Sequence, residues 1–121
     1  GQLGVVAAGR PIEAVEHAEV VPLTDLVPTG DDHYVLRVTG KSMIEDHIDD
    51  GDFVVIRKQE DAENGERVVA MIDNEVTLKK FYHQNDQIVL QPCNGAMKPI
   101  VVDPDSDTRI LGVLVGVLRK V

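Results

Sequence analysis

The sequence has no tryptophan, two phenylalanines, two tyrosines and one cysteine, and none of its basic runs exceeds two residues, as in Lys79-Lys80. Each shortage excludes something. With so few aromatic rings, stacking platforms for bases are scarce and the core must be built from aliphatic side chains. Cys93 has no second cysteine to pair with, so an internal disulfide is impossible. A formal net charge of −9 repels phosphate, and direct binding of nucleic acid by this chain is not expected. No apolar run reaches the roughly 20 residues of a membrane helix, and no signal peptide opens the chain. A cytoplasmic protein with no membrane attachment is the expectation.

What remains is one domain's worth of chain, 121 residues with 43% hydrophobic content rich in valine and isoleucine. Those residue types favour strands. Residues 1–32 form an opening segment and connecting arm. The first nine, "GQLGVVAAG", are small and uncharged, and prolines at 11, 22 and 28 then predict short extended pieces joined by turns. Residues 33–121 form the core, with β-type runs "HYVLRVTG", "DFVVIRK", "RVVAMID", "EVTLKKFY", "QIVLQP", "PIVVD" and "RILGVLVGVLRKV". Seven strands at this spacing predict a mostly β fold, a compact antiparallel barrel or sandwich. Asp73-Asn74 predicts a two-residue hairpin turn, because both residues tolerate positive φ. "SMIEDHI", Ser42 to Ile48, is the one stretch expected to form a short helix.

Chemistry concentrates in "VTGKSMIEDHIDDGD", Val38 to Asp52. A serine hydroxyl is a weak nucleophile until a base takes its proton, so Ser42 needs a histidine held by a carboxylate or a lysine kept neutral. The chain has four histidines, His17, His33, His47 and His83. His47, followed by Asp49 and Asp50, reads as a solvated turn residue, since triads are not assembled by sequence proximity. The lysine route needs an amine pointing into an apolar site, where desolvation lowers its pKa. "EVTLKKF" offers two, and alternation on a strand permits only one to face Ser42. Thr77 and Phe81 share the Lys79 face, while Val76, Leu78 and Tyr82 share the Lys80 face, so alternation alone does not choose between them.

The acidic cluster Asp46, Asp49, Asp50 and Asp52 does not read as a calcium loop. A loop starting at Asp46 would need Asp or Asn at position 48 and Glu at 57, where Ile48 and Arg57 stand. No metal and no cofactor are expected. Cys93, in "QPCNGAM", lacks a bracketing histidine and carboxylate and reads as a bystander.

The blocks "VTGKSMIEDHIDDGD", "NGERVVAMIDNEVTLKKF", "QPCNGAMKPIVV" and "ILGVLVGVLRKV" resemble, in order, those of the self-cleaving LexA-type repressors in their C-terminal protease domain. The resemblance runs from about Val5 to Val121. It implies that Ser42 is the nucleophile and that Lys79, the first lysine of "TLKK", is the general base. It also implies an Ala-Gly scissile bond, which "VVAAGRP" places between Ala8 and Gly9, so that the opening segment becomes the enzyme's own substrate. Small residues at 7–9 suit a backbone that must enter a narrow cleft and bend there. Backbone N–H groups at Lys41 and Ser42 are then the expected oxyanion hole.

The same resemblance implies an SOS-response repressor half that forms homodimers and is stimulated by an activated RecA filament. Its DNA-binding half is expected upstream of Gly1, and the chain, beginning eight residues before Gly9, is expected to be uncleaved. The final run is too apolar for an unprotected edge strand, and the dimer contact is expected there. Family members often carry glycine where this chain has His47, which predicts positive φ at that residue. A prophage CI-type repressor and a UmuD-like polymerase accessory protein share this chemistry, although the latter usually cleaves at Cys-Gly. A type I signal peptidase would need a membrane anchor. A β-rich dimerisation module with a dead site is the non-enzymatic alternative.

Overall fold

The computed structural model describes residues 19–121. The cleavage-site residues Ala8 and Gly9, and His17, lie outside the described residues. The strands are β1 (His33–Arg37), β2 (Phe53–Lys58), β3 (Arg67–Ile72), β4 (Glu75–Gln84), β5 (Gln87–Gln91), β6 (Ile100–Val101) and β7 (Thr108–Leu118). They join in one antiparallel sheet of order β1-β2-β7-β3-β4-β5-β6. The mostly β, antiparallel expectation therefore holds.

The turns follow from residues that accept left-handed backbone. Asp73 and Asn74 have φ of 48° and 73° and close the β3–β4 hairpin as expected. Asn85 and Asp86, at 53° and 59°, do the same between β4 and β5. The stretch after Ser42 forms a 3-10 turn at Ile44–Asp46, and His47 ends it at φ 63°, the conformation expected there. One element was not foreseen: the arm contains a one-turn helix α1, Leu23–Leu26. Pro22 precedes it and Asp25 lies in its first turn, where the exposed N–H groups favour a carboxylate.

Each face of the sheet buries its own core. Alternation along β3 sends Val69 into one cluster, with Met43, Ile48, Val54 and Ile56, and sends Val68 and Ala70 into the other, with Phe81, Leu90 and Val113. The terminal run requires a correction. β7 is not an edge strand but lies between β2 and β3, paired on both sides. Up to its middle its apolar composition is that of a central strand and does not argue for a partner. Exposed apolar groups remain only beyond its middle, at Val117, Leu118 and Val121.

β7 is bent by two bulges, where its pairing with β2 skips Val115 and its pairing with β3 skips Leu111. Between them sits Gly112, where a Cβ would lie 2.4 Å from Ile56 Cγ2 and 2.6 Å from the Arg57 carbonyl oxygen. Only a residue without a side chain lets β2 approach this closely.

Candidate active site

Ser42 follows β1 in a turn opened by Gly40, whose φ of 86° suits glycine. The Asp50 carboxylate accepts the Gly40 N–H at 2.7 Å, and Val38 and Asp52 are joined by a backbone hydrogen bond. Met43, 1% exposed, anchors the turn in the core immediately after the serine.

Register decides which lysine meets it. Lys79 pairs with Val68 of β3, and its side chain is 5% exposed. Its Nζ donates to Ser42 Oγ at 3.2 Å and also to Thr77 Oγ1, two residues back on the same face. Lys80 is only half-buried and has no hydrogen bond to the serine. Among the described residues, Lys79 is the one side chain hydrogen-bonded to Ser42 Oγ. Burial of its amine removes water that would solvate the ammonium, and this pulls its pKa below the usual lysine value. A hydroxyl beside such an amine can pass its proton to it when the amine is neutral.

The remaining candidates have other places. His33 pairs with Asp32 at 2.8 Å, His83 stands edge-on to Phe81 with ring centroids 6.5 Å apart, and exposed His47 offers its carbonyl to Arg119. None bonds to the serine. The N–H groups of Lys41 and Ser42 donate to no protein acceptor among the described residues. Cys93 is half-buried, and burial pushes its thiol pKa up, away from the thiolate a nucleophile requires.

A cavity of about 120 Å³ opens beside the serine, lined from one side by Leu36–Thr39 and from the other by Val76–Leu78. Both walls are sheet edges. β1 pairs only with β2, and β5 covers β4 only from Lys80 onward, so Glu75–Lys79 keeps one side unpaired among the described residues. Val35 and Val76, 55% and 56% exposed, lie on these edges. An extended peptide could add backbone hydrogen bonds to such edges with its small side chains in the cavity.

The acidic cluster makes structural contacts. Asp46 holds Arg67 through two hydrogen bonds, Asp49 holds Lys41 Nζ at 2.9 Å, and Asp50 holds Gly40. Asp52, 2% exposed, accepts from Arg119 at 2.7 and 2.8 Å and from the Asp49 N–H at 2.8 Å. The Arg119 guanidinium and that N–H hold the Asp52 carboxyl down at about 2, from an ordinary 3.8. A depressed carboxyl pKa stabilises the fold above the ordinary value and loses that contribution as pH falls toward the folded one. Asp52→Asn is therefore expected to lower Tm at pH 7 and to flatten its acid dependence between about pH 4 and pH 2. Circular-dichroism melts across that range check it; parallel acid limbs for parent and variant would contradict it.

The sequence places Thr77 on the Lys79 face but gives it no role, and it marks neither Asn94 nor Arg119. Asn94 and Arg119 act across 53 and 67 positions, and nothing local marks them.

The half-buried serine and the buried lysine, beside two strand edges unpaired among the described residues, lie within a recognised sequence pattern: the family described as Peptidase S24-like matches residues 2–115. The chain belongs to that family. Similar proteins include the LexA repressor of Syntrophotalea carbinolica, 52% identical over 116 residues, covering 96% of this chain and 57% of the relative. The LexA repressors of Pseudothermotoga lettingae and Thermotoga petrophila are 47% and 46% identical, covering 97% and 98% of this chain and 60% of each relative. This S24-like chain is thus of the LexA protease-domain type its motifs resemble, and it spans about three fifths of the length of these relatives. No helix among its described residues is long and apolar enough to cross a membrane.

Proposed function

We propose that the chain is the self-cleaving serine protease domain of a LexA-like repressor of the SOS response, with Ser42 as nucleophile, Lys79 as general base and Ala8-Gly9 as the scissile bond. The observation that carries this reading is the 3.2 Å contact between the Ser42 hydroxyl and the buried Lys79 amine. Neutral Lys79 accepts the Ser42 proton as Oγ attacks the Ala8 carbonyl carbon. The tetrahedral oxyanion is held by the N–H groups of Lys41 and Ser42. Collapse expels the Gly9 amine, which takes the proton from Lys79, and water then hydrolyses the Ser42 ester. Residues 1–32 act as substrate segment and arm, and residues 33–121 as the catalytic core.

Because the substrate is tethered, its orientation entropy is largely prepaid, and control lies in how often the segment occupies the cleft. An activated RecA filament favours that state in this reading. Homodimerisation and a separate DNA-binding domain belong to the same reading. The relatives are named as repressors, and they are longer than this chain. We assign the dimer contact to the exposed apolar end of β7.

Intact-mass time courses at mildly alkaline pH test the reading. Loss of residues 1–8 from the parent, and from no Ser42→Ala sample, is the expected result. An inert parent, even with activated RecA filament, would leave a binding module with a dead site. The pH profile tests the base. Neutral amine accumulates as pH rises, so the rate is expected to climb through the alkaline range and level off only above the lowered lysine pKa. A rate that levels off just above about pH 6 would instead assign the base to a histidine.

A further inference from the structure

The loop between β5 and β6 reaches across the sheet to the nucleophile turn. The Cys93 N–H donates to the Ser42 carbonyl at 2.7 Å, and the Glu45 N–H donates to the Cys93 carbonyl at 2.7 Å. Asn94 Nδ2 donates to the Lys41 carbonyl at 2.9 Å, while Asn94 Oδ1 accepts the Ala96 N–H at 2.9 Å. The two carbonyls that flank the Ser42 α-carbon are thus both held by one loop.

The Lys41 carbonyl belongs to the same peptide unit as the Ser42 N–H. In a trans peptide these two groups point in opposite directions, and no peptide among the described residues is cis. With its oxygen held by Asn94 at 2.9 Å and, at the longer distance of 3.3 Å, by the Ile44 N–H, the unit aims the Ser42 N–H away from that loop. A hydrogen bond accepted at the oxygen also polarises the amide and strengthens the N–H as a donor.

We propose that Asn94 is a positioning residue for catalysis, orienting and polarising the Lys41–Ser42 peptide so that its N–H stabilises the oxyanion. This rests on the proposed protease function. Asn94 touches neither substrate nor reacting atoms and acts through the peptide alone.

Asn94→Asp separates this role from loop folding. A carboxylate still accepts the Ala96 N–H, which preserves the loop's own turn, but has no proton to give the Lys41 carbonyl. Loss of an oxyanion donor costs about 10²–10³ in rate, and loss of its orienting partner should cost less, roughly tenfold. Self-cleavage of the full chain, followed by intact mass from pH 7 to 10, is expected to be slowed about tenfold in Asn94→Asp. The midpoint of the pH profile should not move in Asn94→Ala, which adds no charge near Lys79. Asn94→Ala should be at least as slow.

A parent that cleaves alongside an Asn94→Asp variant within twofold of it would overturn this inference alone. A slower Asn94→Ala variant with a displaced midpoint would also overturn it, by moving the effect to the base. A parent as inert as Ser42→Ala would overturn the protease reading and this inference together.

Discussion

Lys79→Arg is expected to abolish self-cleavage, with a loss of at least about 10³-fold that raising the pH does not repair. Arginine keeps the charge and the donors of lysine, so it could still hold Ser42 Oγ in place. It cannot lose its proton in the accessible pH range, and a base that never becomes neutral accepts nothing. The parent amine is 5% exposed and its pKa is drawn down by desolvation, so the parent gains neutral base as pH rises. Lys79→Ala and Ser42→Ala should be as inactive as the arginine variant, because groups acting as one unit are not additive. Intact-mass rates for all four proteins between pH 7 and 10 decide the matter. An arginine variant that cleaves at even a tenth of the parent rate would remove Lys79 from the role of base.

Gly112→Ala is expected to destabilise the fold by about 2–3 kcal/mol, lowering Tm by roughly 10 °C in a domain of this size. The methyl group would sit 2.4 Å from Ile56 Cγ2 and 2.6 Å from the Arg57 carbonyl oxygen. The first contact could be relieved by a rotamer change, but the second is backbone and can be relieved only by moving β2. Ile56 is fully buried and belongs to the same cluster as Met43, directly after Ser42. Separating β2 from β7 would therefore also disturb the floor of the nucleophile turn. Gly116→Ala is the internal control, because its added Cβ would meet nothing nearer than 3.5 Å. Thermal melts of both variants test the account, and equal small effects would refute the claim of close approach at Gly112.

The short-range features were legible because local chemistry dictates them. Asp73-Asn74 announced a tight hairpin through two residues that tolerate positive φ, while the left-handed backbone at His47 was implied by the glycine that family members often carry there. The β-type runs followed from alternation and aliphatic content, and the ordered blocks around Ser42 and Lys79 carried the family. Helix α1 was missed because four residues make too weak a periodic signal to stand out among prolines.

Only the tertiary structure decided the rest. A run such as "RILGVLVGVLRKV" reads the same at an exposed edge or in the middle of a sheet, because composition reports burial and not neighbours. The long connections that put β7 between β2 and β3 are invisible to local pattern. Likewise, alternation separates Lys79 from Lys80 but cannot say which face the serine will occupy. Strand register against Val68, and a turn held by Asp50, Asn94 and Met43, bring one amine to Ser42. By itself the sequence determined the kind of elements and the candidate chemistry. Long-range pairing decided which residues meet, because the free energy of those contacts depends on positions separated by tens of residues.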